Sequence, residues 1–298
     1  MPLVNMTSML AHADYHGYGV GAFNTLSIEA VRGAIRAAEE LRSPIILQLA
    51  QVQLDIAPLN YMAPVMLQAA QNATVPVVVH FDHGEDMDHI KQALDLGFSS
   101  VMYDGASYPM LENMHLSKIA VDLAHTYDAT CEAELGRVGG SEDGSKDLAM
   151  LLTDVQEVKT FIAGTGVDAL AIAIGNAHGA YKESPNIQFQ RLREINRMTE
   201  VPLVLHGGSG ISEEDFRKSV KGGIQKINVA TALQQDIVAE VHKLCHGSFK
   251  KPSYSKMYTV IEEAVFRAVK RHITLFMSDG KAGVNEDKIA YCDVKSNG

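Results

Sequence analysis

Eight short apolar runs alternate with helical patterns along the 298 residues of this chain. The runs are apolar almost continuously, which is typical of strands that are buried on both faces of a parallel sheet. They lie at residues 18–23, 44–49, 75–81, 99–103, 129–135, 168–174, 201–205 and 224–229. Eight strands with helices between them predict an α/β fold, a (β/α)8 TIM barrel, and the alternative is an open, doubly wound sheet.

Several of the predicted helices begin with residues that typically cap or favour a helix N-terminus. Ser27 is a predicted N-cap, and Thr153 with Gln156 forms a capping-box pattern. Ser212 precedes three acidic residues, which favour the first turn of a helix. Apolar spacing in the helix after Ser27 predicts a buried stripe of Ile28, Val31, Ile35, Ala38 and Leu41.

The composition and a few sequence patterns limit the classes of partner and the cellular location that we expect. A formal net charge of −10 argues against nucleic acid or an anionic membrane surface as a partner. The start of the chain has no secretory signal pattern, no apolar run approaches the roughly 18 residues of a membrane span, and the three cysteines form no CxxC pair. We therefore expect a cytoplasmic protein with one domain at residues 1–283 and a polar, less ordered tail at residues 284–298.

Polar side chains stand at the carboxyl ends of six of the eight runs. In a barrel these ends meet at one mouth, so His83, His178 and His206 are expected to approach one another. Three imidazoles with an open position form a catalytic zinc site, although a single histidine after a strand is more often structural. The other polar residues at these ends are Asp82, Asp104, Glu132, Glu134, Asn228 and Thr231.

Two further segments suggest a ligand. The sequences HGGSG, at 206–210, and NVAT, at 228–231, follow the seventh and eighth runs, where this fold commonly binds phosphate, although a tight glycine turn is the alternative for the first. The loop GGSEDG, at 139–144, carries Glu142 and Asp143. That acidic pair is either solvated surface or a mobile base that closes over the mouth.

Several motifs in the same order resemble those of a known family. They are AFN at 22–24, HFDHG at 80–84, EAELGRVGGSEDG at 132–144, GNAHGAY at 175–181, VPLVLHGGSG at 201–210 and KINVAT at 226–231. The chain resembles the class II, zinc-dependent ketose-bisphosphate aldolases, which include fructose-bisphosphate and tagatose-bisphosphate aldolases. The resemblance implies an aldehyde-lyase of carbohydrate metabolism, such as glycolysis, that usually forms dimers or tetramers. Its reaction would be reversible cleavage of a ketose (bis)phosphate into dihydroxyacetone phosphate and an aldehyde, through a zinc-stabilised enediolate.

The resemblance also implies a metal site. His83, His178 and His206 would hold one catalytic zinc ion per chain. Asp104 and Glu134 match acids of an alternative metal position. A monovalent cation, Na⁺ or K⁺, would lie nearby.

Catalytic and substrate-binding roles follow from the same matches. Asp82 would exchange a proton with the hydroxyl next to the cleaved bond, and Glu142 would be the loop base that acts on dihydroxyacetone phosphate. The phosphorylated sugar would contact Asn24, Gly179, Gly207, Gly208, Ser209, Asn228, Val229, Ala230 and Thr231.

The chain departs from the family pattern at two positions. Ser253 stands where relatives that bind a second phosphate usually have an arginine, and Lys250 and Lys251 offer charge without its bidentate geometry. Ala50 replaces a serine of many fructose-bisphosphate enzymes. We expect the dihydroxyacetone phosphate half to be kept and the aldehyde half to be altered or less dependent on a second phosphate.

Three rival functions remain open at this point. A Schiff-base aldolase would need an inward lysine, for which Lys226 is the candidate. A metal-dependent hydrolase often begins with an HxH pair, whereas the first run here ends VGAFN. A non-catalytic, sugar-phosphate-binding accessory subunit would be expected to have lost a ligand or an acid.

Overall fold

A closed barrel of eight parallel strands forms the centre of the computed structural model, which describes residues 3–140, 149–179, 185–246 and 251–283. Neighbouring strands pair in chain order, and the eighth returns to the first. Each strand overlaps one of the eight apolar runs, so the predicted TIM barrel is confirmed and the open sheet is wrong. The strands are β1 Val20–Asn24, β2 Ile45–Ala50, β3 Val77–Gly84, β4 Ser100–Tyr103, β5 Thr130–Leu135, β6 Ala169–Ile172, β7 Leu203–Leu205 and β8 Ile224–Val229.

Helices surround the barrel and bury its outer face. Each strand is followed by at least one helix, and the last helix packs against both its predecessor and the first helix of the ring. No helix of the described ranges is both long enough and apolar enough to cross a membrane. The helices are α1 Met6–His16, α2 Ile28–Glu40, α3 Leu59–Asn72, α4 Met87–Asp95, α5 Met110–His125, α6 Val158–Thr165, α7 Phe189–Asn196, α8 Glu213–Lys221, α9 Thr231–His246 and α10 Tyr254–Leu275.

The face that α2 buries differs from the predicted stripe. Ser27 is the N-cap as expected, accepting a hydrogen bond from the Ala30 amide. Ile28, however, is 48% exposed, so its predicted burial is wrong. The buried face is made largely of alanines and includes Gly33, where an added Cβ would lie 2.6 Å from the Glu262 carbonyl oxygen of α10. Small residues prevail there because two helices and the sheet approach closely.

One predicted capping box is also wrong. The helix α6 begins at Val158, after an N-cap at Glu157, so Thr153 does not cap it. The Thr153 hydroxyl instead donates to the Leu135 carbonyl and accepts from the Ala173 amide, which ties the end of β5 to the end of β6. The Ser212 cap is confirmed, since its side chain accepts from the Asp215 amide at the start of α8.

The interior of the barrel changes from apolar to polar along the strands. At the amino-terminal end, α1 closes the barrel by packing Met6, Met9 and Leu10 against inward strand residues. Those inward residues include Ala22, Ile46, Val78, Met102 and Val204. Since side chains alternate along a strand, the next inward positions lie two residues further on, and they are polar. Asn24, Gln48, His80, Asp82, Glu132, Lys226 and Asn228 form this buried polar layer.

Candidate metal centre

An irregularity at the end of β3 directs two adjacent side chains to the same place. The pairing of β3 with β4 shifts register between Phe81 and Gly84. Within the shift, His83 adopts a left-handed backbone conformation with φ of 48°. In a regular strand Asp82 and His83 would face opposite sides, but a bulge re-aims one of them. Both side chains therefore reach the mouth of the barrel.

The three histidines predicted as zinc ligands meet at that mouth. The ring centroids of His83 and His178 are 4.8 Å apart, those of His83 and His206 4.6 Å, and those of His178 and His206 5.7 Å. His83 Nε2 lies 3.0 Å from His206 Nδ1. One nitrogen or oxygen from each of these histidines and Glu134 lies within 4.8 Å of the others. The barrel thus joins residues from three strand ends that are far apart in the chain.

Backbone contacts hold the loops that carry these histidines. The His178 amide donates to the Gly139 carbonyl at 2.7 Å, so the loop after β5 supports the loop after β6. The Asn176 side chain donates to the His206 carbonyl at 3.0 Å. Gly207 has φ of +64°, and a Cβ there would lie 2.0 Å from the Ala177 carbonyl oxygen. Only glycine allows the loops after β6 and β7 to approach this closely.

Carboxylates behind two of the rings determine which ring nitrogens carry hydrogen. Asp104 Oδ2 lies 2.7 Å from His83 Nδ1, and Glu132 Oε1 lies 2.8 Å from His206 Nε2. Burial opposes ionisation of both acids, yet the hydrogen bond from His83 lowers the pKa of Asp104. The charge of Lys226 and the His206 contact bring the pKa of Glu132 to about 2. Ionised carboxylates only accept hydrogen bonds, so these two ring nitrogens are the donors.

When both rings are neutral, as metal ligands must be, their opposite nitrogens, His83 Nε2 and His206 Nδ1, face each other with lone pairs. Burial lowers the pKa of His206 and so favours its neutral form, which is the form that binds metals. Two lone pairs at the 3.0 Å separation of His83 Nε2 and His206 Nδ1 repel each other unless a cation lies beside them. Nitrogen ligands of one tetrahedral zinc ion lie roughly 3.4 Å apart, given Zn–N bonds of about 2.1 Å. The pair therefore fits a shared metal ion.

Glu134 provides an independent indication of a cation. Its Oε1 accepts from the Val138 amide at 2.8 Å. Its Oε2 is buried, has no hydrogen-bond partner among the described residues and lies 3.8 Å from His206 Nδ1. Burial and then the nearby charge of Asp104 raise the pKa of Glu134 to about 8. Once deprotonated, this buried oxygen beside three imidazoles completes a donor set that suits zinc.

The predicted acid/base, Asp82, lies buried beside this cluster. Gln48 donates to its Oδ2 at 3.0 Å, and Asn228 donates to Oδ1 at 3.1 Å and to Oδ2 at 3.2 Å. Burial raises the pKa of Asp82, but the charge of His83, the nearby His80 ring and the charge of Lys226 outweigh it and hold the pKa well below its ordinary range. Asp82 Oδ2 lies 3.9 Å from His83 Nε2. An ionised base thus stands next to the metal-facing nitrogens.

A row of amide side chains supports Asp82, and two of its members, Gln48 and Gln53, are absent from the sequence predictions. Gln48 also donates to Asn24 at 2.8 Å, and Asn24 donates to Gln53 at 3.0 Å. In the part of the chain that the structure describes, the carbonyl oxygens of Gln48 and Asn228 are buried and have no hydrogen-bond partner. These oxygens are suited to accept hydrogen bonds from the hydroxyl groups of a ligand. The available signal for Gln48 was its position as the single polar residue of the run 44–49.

Comparisons with known proteins show the family to which the chain belongs. The model of the family "Fructose-bisphosphate aldolase class-II" matches residues 4–281. The chain belongs to the class II fructose-bisphosphate aldolase family. Among solved structures, the YdjI aldolase of Escherichia coli K12 is 33% identical, with a TM-score of 0.83, and the match covers 94% of this chain and 99% of that one.

Two further structures are similar to this class II aldolase. A Coccidioides immitis protein assigned as a fructose-1,6-bisphosphate aldolase is 31% identical, with a TM-score of 0.86, and the match covers 93% of this chain and 98% of that one. The fructose-bisphosphate aldolase of Campylobacter jejuni shares 21% identity, with a TM-score of 0.76 and coverage of 94% and 97%, and supports the fold. The family makes the chain a lyase.

The remaining predicted site residues of this aldolase take different positions. Asp104 lies behind His83 and outside the metal cluster, so its part in an alternative metal position stays a prediction. Ser209 accepts from the Ala232 amide at the start of α9, and the Gly208 amide donates to the Asn228 carbonyl. The segments 206–210 and 228–231 are therefore in contact. Glu142, like Asp143, lies outside the described residues.

Lys226, the candidate for a Schiff base, is poorly placed for that role. Its side chain is fully buried, and its Nζ lies 2.8 Å from Glu132 Oε2. A Schiff-base lysine must meet the substrate as a neutral, accessible amine. The structure therefore does not favour the Schiff-base alternative.

Proposed function

We propose that this class II aldolase reversibly cleaves a ketose (bis)phosphate of the fructose or tagatose type into dihydroxyacetone phosphate and an aldehyde, with zinc as its metal. The observation that carries the proposal is the ionised, buried Asp82 beside three converging imidazoles. Breaking a carbon–carbon bond next to a carbonyl needs a base for the hydroxyl proton and a cation for the developing negative oxygen. The mouth of the barrel offers both.

Three histidines and one glutamate would hold the metal. His83, His178 and His206 supply ring nitrogens, and Glu134 adds a carboxylate oxygen at the same point. When bound, zinc supplies a Lewis acid that stabilises negative charge on the substrate oxygens. Asp104 and Glu132 would keep two of the rings oriented toward it.

Asp82 would act as the base in cleavage and as the acid in condensation. In cleavage it takes the proton of the hydroxyl on the carbon that becomes the aldehyde. Three amide hydrogen bonds from Gln48 and Asn228 hold its carboxylate in place without protonating it. Because these donors remain in both directions, Asp82 needs no rearrangement between accepting and returning the proton. Glu142 is proposed, from the family resemblance, as the second base, acting on dihydroxyacetone phosphate.

The phosphate of the triose half would bind where the loops after β7 and β8 meet. Gly207, Gly208 and Ser209 lie beside Asn228 and the start of α9. Helix starts and glycine-rich turns present backbone amides, which suit phosphate. A monovalent cation, Na⁺ or K⁺, is proposed nearby from the family resemblance.

A second phosphate would be less important in this chain. Ser253 is the N-cap of α10, and its hydroxyl accepts from the Lys256 amide at 3.2 Å. A capping hydroxyl engaged in this way cannot replace a bidentate arginine. We therefore propose comparable rates for a ketose 1-phosphate and a ketose 1,6-bisphosphate; a preference of several orders of magnitude for the bisphosphate would contradict this.

The experiment that tests the function measures zinc content and retro-aldol activity on one preparation. Activity is followed before chelation, after chelation and after zinc is returned, with fructose 1,6-bisphosphate, tagatose 1,6-bisphosphate and a ketose 1-phosphate. About one zinc per chain, with activity lost and then restored, is expected. Bound zinc without cleavage of any substrate would reject the substrate class, and absence of zinc would reject the metal.

A further inference from the structure

A charged pair lies buried inside the barrel, beneath the histidines. The side chains of Lys226 and Glu132 are both fully buried, and Nζ lies 2.8 Å from Oε2. Charges removed from water in this way are expensive, and apolar residues of similar volume often serve stability as well or better. The core could have been built without this pair. Its presence therefore needs an explanation outside core packing.

Glu132 contacts the metal cluster through its other oxygen. While Oε2 binds Lys226, Oε1 accepts a hydrogen bond from His206 Nε2 at 2.8 Å. The hydrogen on Nε2 leaves the lone pair of His206 on Nδ1, the nitrogen 3.0 Å from His83 Nε2. Rotation of the ring or a change of tautomer would turn that lone pair away from the cluster.

His80 closes the other side of this arrangement. Its Nδ1 contacts the Ser100 hydroxyl at 2.8 Å, and its Nε2 lies 3.7 Å from Glu132 Oε2 and 3.6 Å from Asp82 Oδ1. His80, Ser100 and Glu132 are all fully buried. Glu132 is therefore fully enclosed, whereas Asp104, the equivalent partner of His83, has a 21% exposed side chain. The negative charge of this buried carboxylate is compensated by the positive charge of Lys226.

We propose that Glu132, held by Lys226, is a positioning residue that fixes the tautomer and ring orientation of His206 so that Nδ1 is presented to the metal. The proposal rests on the zinc site proposed above. It assigns Lys226 a supporting role in metal binding in place of a covalent one. Partners of metal-binding histidines typically contribute 10- to 100-fold to metal affinity.

The test uses Glu132→Gln in the full chain. A glutamine offers one acceptor and one donor where the carboxylate offers two acceptors. Lys226 can only donate, so it should keep the amide oxygen, and His206 Nε2 then faces the NH₂ group and loses its acceptor. Zinc affinity, measured by competition with a chromophoric chelator, should weaken about 10- to 100-fold. In metal-free protein labelled with ¹⁵N in histidine rings, His206 should change from the Nε2–H tautomer to a mixture, its signal being assigned by comparison with His206→Asn.

Asp168→Asn is the matched control. Asp168 Oδ2 also pairs with a histidine, lying 3.0 Å from His125 Nε2, but at the amino-terminal side of β6. This variant should keep the zinc affinity and the His206 signal of the unchanged protein. If Glu132→Gln does not fold, the double variant Glu132→Met with Lys226→Met removes both buried charges together with the acceptor for His206, and it should fold. It should still bind zinc at least tenfold more weakly.

The outcomes separate this inference from the function. Wild-type protein that binds zinc, together with a folded variant of unchanged zinc affinity and unchanged His206 tautomer, would overturn the positioning role. Wild-type protein that binds no zinc would reject the proposed metal. In that case the tautomer of metal-free His206 still decides whether Glu132 fixes its orientation.

Discussion

Replacing Asp82 with asparagine removes the proposed base while preserving its size. The carboxylate accepts hydrogen bonds from Gln48 and Asn228, and both oxygens are buried. An amide cannot take the hydroxyl proton, and general-base catalysis typically contributes 10²–10⁴-fold. We expect kcat of Asp82→Asn to fall by that factor, equivalent to about 3–5 kcal/mol in activation free energy.

The structure also indicates how much folding stability Asp82→Asn should lose. In Asp82→Asn the new NH₂ group must face the donor of Gln48 or that of Asn228, so one buried donor loses its acceptor. Such a group costs about 1–3 kcal/mol. A domain is typically stable by about 5–15 kcal/mol, so the variant should remain folded. Its zinc content should stay near that of the wild type, because His83, His178 and His206 are unchanged.

The assay compares kcat, KM and zinc content of Asp82→Asn with those of Asp86→Asn. Asp86 lies four residues further on, is 44% exposed and caps α4. Asparagine is an equally good N-cap, so this control should keep activity and stability. If Asp82→Asn retained more than about a tenth of the wild-type kcat with full zinc occupancy, Asp82 would not be the base.

Three further predictions concern stability. Gly17→Ala should destabilise the fold by roughly 1–2 kcal/mol, and Gly207→Ala by several times that amount. Both glycines have similar positive φ, but only at Gly207 would a Cβ meet a described neighbour within 4 Å. Urea unfolding of both variants checks this. Ser253→Ala should lose about 1 kcal/mol through the missing cap of α10 and leave kcat/KM unchanged on a ketose bisphosphate. Burial lowers the pKa of His272 from 6.5 to about 4, so as pH falls through this window the unfolded chain binds a proton that the folded chain does not, and stability decreases. When the pH falls from 7 to 4.5, the unfolding free energy of the wild type should therefore decrease by roughly 2–3 kcal/mol more than that of His272→Gln.

The sequence was sufficient to predict the barrel and most strand positions. Strands buried on both faces need continuous apolar runs, and this local signal does not depend on distant residues. The buried face of α2 was harder to predict, because it depends on contact with α10 more than two hundred residues later. Ile28 obeys the helical period, yet the close contact at Gly33 rotates the helix toward its alanines.

The meeting of the three histidines was predictable for a different reason. All eight strands end at the same face, so three histidines at strand ends must approach one another once the barrel is assumed. Their hydrogen-bond partners were not predictable. Glu132 and Glu134 both follow the inward pattern of β5. Which of them pairs with His206 Nε2 depends on how deep each lies in the barrel, and that depth is determined by the tilt and relative height of the neighbouring strands. The structure assigns Glu132 to His206 and Asp104 to His83.

The adjacency of Asp82 and His83 holds the more general lesson about this site. Two consecutive strand residues point to opposite faces, so a base and a metal ligand at successive positions can act together only where the strand is irregular. The left-handed φ of His83 provides that irregularity, at a typical cost of about 1–3 kcal/mol. Gly84 allows it, because a Cβ there would lie 2.6 Å from the Met102 carbonyl oxygen of β4. The glycine after the histidine is therefore the sequence signal for the bulge, and through the bulge for the shared site.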